Sequence, residues 1–261
     1  MFLRKTGYSK RYTFDVIYSA LQKFMRRGMK EEAIEMCKEF HDYPNALRKR
    51  LVYCICEDCP DLDLVYKVFS ERSTSPEHIK NLVKYVPVIC DHMKSREIFY
   101  HCYYLAATGK YSKEPLSIKD DQETMLSKIV YGLAHERELE MIEFFQKHIA
   151  LVPLKRIFTF SGKNRCFIYT LAAYFLKPHL REKCVLRDVP ITFDFDANFV
   201  MPDYVYDKHV HGGTKGYAFF VNNIVMIPVE PESEVAREAK KICIESECNT
   251  GHWLSELAKK T

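Results

Sequence analysis

Phe14, Ile17, Leu21, Phe24 and Met25 recur at the spacing of one helical face, while Gln22, Lys23, Arg26 and Arg27 take the other. That pattern predicts a half-buried helix. Thr13 precedes it as an N-cap, and Gly28 follows it where a left-handed residue stops a helix. Lys23, Arg26 and Arg27 fall at its C-terminal end, where cations meet the negative pole of the helix dipole. A second helix is expected over residues 29–40, with Ala33, Ile34, Cys37 and Phe40 as its apolar stripe, and a third over 47–59.

Helical patterning continues over 62–70, 76–94, 96–108, 122–136 and 138–150, with Pro87 expected to kink or split the second of these. No repeat of fixed length is visible, which favours a compact irregular bundle over a solenoid. The pattern changes near Val185. Residues 189–196 and 221–228 alternate apolar with polar and read as short strands or extended arms. Helical spacing returns near residue 233, with Val235, Ala239, Ile242 and Cys243 as a narrow stripe, and again around Trp253, Leu254 and Leu257. The expectation is a mainly α protein, an irregular multi-helix bundle with a small β-containing or irregular C-terminal region. Its organisation is read as a helical domain over 1–180 and a smaller mixed region over 181–261.

Ser19 to Cys37, SALQKFMRRGMKEEAIEMC, followed by Asn45 to Asp61, NALRKRLVYCICEDCPD, gives two amphipathic helices, a basic elbow and a third helix ending in acids. This arrangement resembles the helical C-terminal region of the RarA/MgsA branch of clamp-loader-like AAA+ ATPases, up to about Ser70. In that family the region follows the motor and builds the oligomer. The resemblance implies a clamp-loader collar without an engine, homo-oligomers, replication proteins as partners, and a viral or mobile-element origin. Standalone phage and viral relatives of the collar carry an Asp-x-His-x-x-x-Gly segment similar to Asp207, His209 and Gly213 here. Val210 stands where those relatives favour Thr, which puts a hydroxyl role in doubt.

Charge sharpens this reading only locally. The net charge is +4, but from Met1 to Lys30 there are eight basic residues, Arg4, Lys5, Lys10, Arg11, Lys23, Arg26, Arg27 and Lys30, against one acid, Asp15. Such an excess can face phosphates or be a solvated face. Lys155, Arg156, Lys163 and Arg165, interleaved with Phe158, Phe160 and Phe167, form a second candidate surface for DNA, single-stranded or at a fork. The competing reading there is a turn, Ser161 to Asn164, joining two core helices. No Walker A frame and no G-x-G-x-x-G is present, so a P-loop engine is not expected. The N-terminus has no apolar signal region, and no run approaches the roughly 18 apolar residues of a membrane span. The expectation is an intracellular protein, cytoplasmic or nuclear, with no membrane partner and with its ten cysteines reduced.

Candidate chemistry is sparse. Cys54, Cys56 and Cys59 have a zinc-like look, but on a helix Cys54 and Cys56 point about 200° apart. His101 and Cys102 lack an orienting third group, which favours packing over nucleophilic catalysis. Asp203, Asp207, His209 and His211, preceded by Asp194 and Asp196, are oxygen and imidazole ligands that suit a divalent metal, HisValHis placing two rings on one face of an extended chain. The functional expectation is a non-enzymatic accessory of DNA replication or recombination without a cofactor. The alternatives are a metal-dependent nuclease or hydrolase acting through residues 203–211, and a helical protein-interaction scaffold.

Overall fold

The computed structural model describes residues 7–71, 77–150, 152–181, 185–206, 210, 217–222, 224–248 and 250–260. The protein is mainly helical, a multi-helix bundle as the patterning predicts. The helices are α1 (Phe14–Arg26), α2 (Lys30–Lys38), α3 (Pro44–Asp58), α4 (Leu62–Ser70), α5 (Glu77–Val83), α6 (Tyr85–Asp91), α7 (Glu97–Thr108) and α8 (Gln122–Ala134). After them come α9 (Glu138–His148), α10 (Leu154–Phe160), α11 (Cys166–Leu176), α12 (Tyr217–Asn222), α13 (Glu234–Ser246) and α14 (Thr250–Lys260). Among the described residues none is long and apolar enough to cross a membrane.

The chain forms two compact units, one of Met1–Ile55, Lys67–Lys94 and Lys183–Val229, the other of Cys56–Tyr66, Ser95–Glu182 and Glu230–Thr261. The boundary expected at 180/181 lies close to where the chain leaves the second unit and re-enters the first. Neither unit, however, is a continuous stretch.

In the first unit, α1 and α2 pack as a hairpin and α6 packs on both. Ile17, Leu21, Phe24, Met36, Phe40 and Leu47 are shut off from solvent, each side chain contributing about 1.5–3 kcal/mol. Thr13 occupies the N-cap in extended backbone, but its hydroxyl donates to Asp15 rather than capping the helix. The hairpin elbow is Gly28, at φ +72°. Its N–H donates to the Met25 carbonyl at 3.2 Å and that of Met29 to Phe24 at 2.9 Å, a double closure of the helix end that needs left-handed backbone. A Cβ on Gly28 would also lie 3.3 Å from the Ile227 carbonyl oxygen. The Ile227 N–H in turn donates to the Arg26 carbonyl at 2.9 Å, one of the acceptors α1 leaves without a partner of its own.

Two expectations are corrected here. The helical stretch 76–94 does split, but at Lys84 rather than at Pro87. Pro87 is the third residue of α6, where its missing N–H costs no helical hydrogen bond. Of the two readings of the alternating stretches, short strands or extended arms, the strand reading fails among the described residues, and 191–196 is an extended arm. Among the described residues the pairing is one isolated parallel bridge between Lys94 and Val229, and Val221 and Asn222 belong to α12. The alternation of 191–196 is real: Ile191, Phe193 and Phe195 are half-buried, and Thr192, Asp194 and Asp196 are exposed. Its inward face meets side chains of the turns that flank the helical hairpin instead of a second strand, Phe193 with the His41 ring at 4.5 Å and Phe195 with Tyr8 at 5.8 Å.

In the second unit, α7 is the central helix, packed by α8, α11, α13 and α14. The α13 stripe docks there, burying Ala236, Ala239 and Cys243. Trp253, the single tryptophan, donates its indole N–H to the Tyr103 hydroxyl at 2.7 Å, and Tyr103 donates to the Cys248 carbonyl at 3.1 Å. Burial pushes the Tyr103 phenol up to about 12. At the N-terminus of α7, Arg96 is buried with carboxylates. Its Nε donates to Asp58 Oδ1 at 3.0 Å, and its Nη2 lies 2.7 Å from Glu57 Oε1. Burial opposes the guanidinium charge, and Asp58 and Glu57 more than reverse this, holding its pKa above the ordinary value.

Candidate nucleic-acid interface

The basic positions of the N-terminal region are largely used inside the first unit. Arg4 and Lys5 lie outside the described residues. Lys23 is 8 % exposed and Arg26 3 %. The Lys23 ammonium donates to Ser19 Oγ at 2.8 Å and to the Val205 carbonyl at 3.0 Å. Arg27 lies 3.9 Å over the Tyr204 ring. Arg11 donates to the Asp196 carbonyl and Lys38 to that of Asp194, each at 2.8 Å. On the face that amphipathicity assigns to solvent, Lys23 and Arg27 are therefore covered by Val205 and Tyr204. A buried ammonium persists only where oxygens replace its lost hydration, and the Ser19 hydroxyl and the Val205 carbonyl do that here. Lys10, at φ +60°, stays exposed.

The second candidate surface is arranged differently. Lys155, Arg156 and Thr159 occupy the exposed side of α10, and Lys163 follows on its cap, also exposed. Ser161 to Asn164 is a helix stop, with Gly162 at φ +73° and the Lys163 N–H closing on the Phe158 carbonyl at 2.9 Å. This fixes Lys163 outward. Lys155 lies 3.7 Å from Glu143 of α9, both side chains 64 % exposed, so solvent screening leaves little of that attraction. Arg165 is held by Glu138 at 2.9 Å. Two of the interleaved aromatics do not offer stacking faces: Phe158 and Phe167 are buried and stack on each other at 6.4 Å, while Phe160 is half-buried. Lys155, Arg156 and Lys163 are the charged side chains exposed on this segment.

The metal-ligand candidates are mostly not described, Asp207, His209 and His211 lying outside the described residues. Asp203 begins a 3-10 turn, Asp203–Val205, and is exposed. Asp194 and Asp196 are exposed as well, contributing backbone carbonyls rather than carboxylates to Lys38 and Arg11. Cys54 and Cys56 do lie on α3, whose geometry turns them apart. The nine cysteines among the described residues are free thiols. Burial pushes the Cys102 thiol up, disfavouring the thiolate a nucleophile needs, and the neighbouring His101 ring is bonded to Gln122 at 3.1 Å.

Sequence reasoning missed a cleft of about 460 Å³ in the second unit, lined by residues of the 113–116 loop, α8 and α9. Leu116, Tyr131, Met141 and Phe144 provide its apolar walls, and Lys128, Glu114, Arg137 and Glu140 its polar groups. The Lys128 ammonium is held by both Asp120 oxygens, at 3.0 and 3.1 Å, with its side chain only 6 % exposed. Gly132 lets α8 and α9 approach closely there, since a Cβ would lie 2.9 Å from Met141 Sδ. The spacing of Met141 and Phe144 along one face of α9, with Arg137 at its N-cap, was the available signal.

No protein-family model matches the chain, and no curated protein or solved structure is significantly similar to it.

Proposed function

We propose that this protein is a non-enzymatic accessory of DNA replication or recombination, a collar-like helical protein that self-associates, contacts replication proteins and holds single-stranded nucleic acid by its phosphates. The observation that carries the reading is the outward set Lys155, Arg156 and Lys163 on α10 and its cap, with the Thr159 side chain exposed between them. Phosphate contact needs mobile, hydrated cations at the surface, and these side chains supply it where Lys23 and Arg26 do not.

Fluorescence anisotropy of labelled single-stranded and duplex oligonucleotides, across salt and with or without EDTA, tests the proposal. The expected result is binding that weakens steeply with salt and ignores EDTA. Replacing Arg156 and Lys163 with alanine should flatten the logarithmic salt slope by about 1.4, at about 0.7 per phosphate contact. Absence of binding at low salt would overturn the nucleic-acid role.

A second reading, a protein-interaction scaffold, is favoured by the apolar side chains along the extended part of the first unit. Val185, Val200 and Ile227 are 65 %, 80 % and 55 % exposed. Exposed apolar groups of this kind mark protein contacts when they cluster.

A further inference from the structure

We infer that the α8–α9 cleft receives one unstacked base of the bound strand; this rests on the reading of α10 as a strand-binding edge. At about 460 Å³ the cleft falls in the range that small ligands fill, roughly 300–1,000 Å³. Its chemistry suits a base better than a purely apolar or purely anionic guest. Phe144 is half-buried, leaving aromatic surface for stacking, Tyr131 is already stacked on Tyr111 at 5.9 Å and forms a wall, and Leu116 and Met141 close the apolar sides. A base edge carries donors and acceptors together. The cleft offers a donor in Arg137 and acceptors in the carboxylates of Glu114 and Glu140, Arg137 and Glu140 lying 3.3 Å apart at its exposed mouth.

The route from cleft to phosphate edge runs along α9. Phe144 lines the cleft, Lys147 one turn later is exposed, and Glu143 faces Lys155 of α10 at 3.7 Å. One helical turn is about 5.4 Å, comparable to the reach between a base and its own phosphate. The phosphates thus follow the basic edge while a single base turns inward. This is the arrangement by which aromatic stacking adds to electrostatic holding without reading sequence.

The test compares a labelled oligothymidylate with an abasic oligomer of the same length, by anisotropy at low salt. The wild-type protein is expected to bind the base-bearing strand about tenfold more tightly, the worth of roughly one stacked base. Phe144→Ala should abolish that preference and leave abasic binding unchanged. Leu116→Trp, a loop substitution that fills the cleft, should do the same without removing a helix contact, and circular dichroism verifies that both variants fold. Arg156→Ala should weaken both oligomers in parallel. Equal wild-type affinity for the two oligomers, or a preference that survives both cleft variants, would overturn the inference while leaving the strand-binding reading in place. Failure to bind either oligomer would overturn both.

Discussion

Replacing Arg96 with methionine tests the energetics of the second unit most directly. The Arg96 side chain is 5 % exposed and that of Asp58 4 %, whereas Glu57 keeps 23 % and can turn toward water. The variant fills much of the guanidinium's volume but removes the cation that balances Asp58 in a site where its charge cannot be hydrated. Breaking one side of a buried pair costs about 3–5 kcal/mol, mostly the price of the charge left behind. Asp58→Asn removes that charge. The double variant Asp58→Asn/Arg96→Met should therefore lose less than the sum of the two singles, with a coupling of about 0.5–3 kcal/mol. Trp253 lies in the same unit and is the only tryptophan, so its fluorescence during urea unfolding reports there. With a slope of about 2 kcal/mol/M, Arg96→Met should lower the midpoint by about 1.5–2.5 M. A loss under about 1 kcal/mol, or strict additivity in the double variant, would refute the argument that a desolvated carboxylate sets the cost.

Other outcomes follow from the first unit. Gly28→Ala should destabilise it by at least about 1–2 kcal/mol, the cost of left-handed backbone for an L-residue, with crowding at the Ile227 carbonyl adding to it. Far-UV circular dichroism during urea unfolding measures this, and an unchanged midpoint would contradict the elbow geometry. His78 has no exposed surface, and among the described residues neither of its ring nitrogens has a hydrogen-bond partner. Burial first, then Arg48, holds its pKa below 6.5, with Glu71 opposing. The unfolded chain therefore takes up the proton first, so this contribution is complete above about pH 6.5 and is lost as pH falls toward the folded value. His78→Leu should flatten the acid loss of stability and leave neutral stability little changed or higher. The same acid slope in variant and wild type would rule out His78 as its source.

The helical hairpin was legible because Phe14, Ile17, Leu21 and Phe24 face one way at 3.6-residue spacing and a glycine closes the run. What periodicity cannot reveal is what covers the opposite face. Lys23 and Arg27 have the sequence signature of a wet surface, yet Val205 and Tyr204, far along the chain, lie against them. Likewise the alternation of 191–196 records which side chains point inward, not whether the other wall is a strand or a helix. Pro87 shows the limit of residue-type rules, since a proline that would break a helix interior sits without cost in a first turn. In the candidate interface, the basic residues of α10 were readable from their spacing, whereas burial of Phe158 and Phe167 depended on packing between α10 and α11.

Lys23 and the carbonyl that receives it are 182 residues apart in the chain. During synthesis the N-terminal hairpin emerges long before its acceptor exists, and residues 95–182 of the other unit are made in between. At about 5–20 residues per second, the hairpin waits on the order of ten seconds or more with its ammonium in water rather than in the core. Completion of the first unit is thus tied to translation of the 183–229 segment, and a ribosome halted before it would carry a hairpin that is helical but still open along one side.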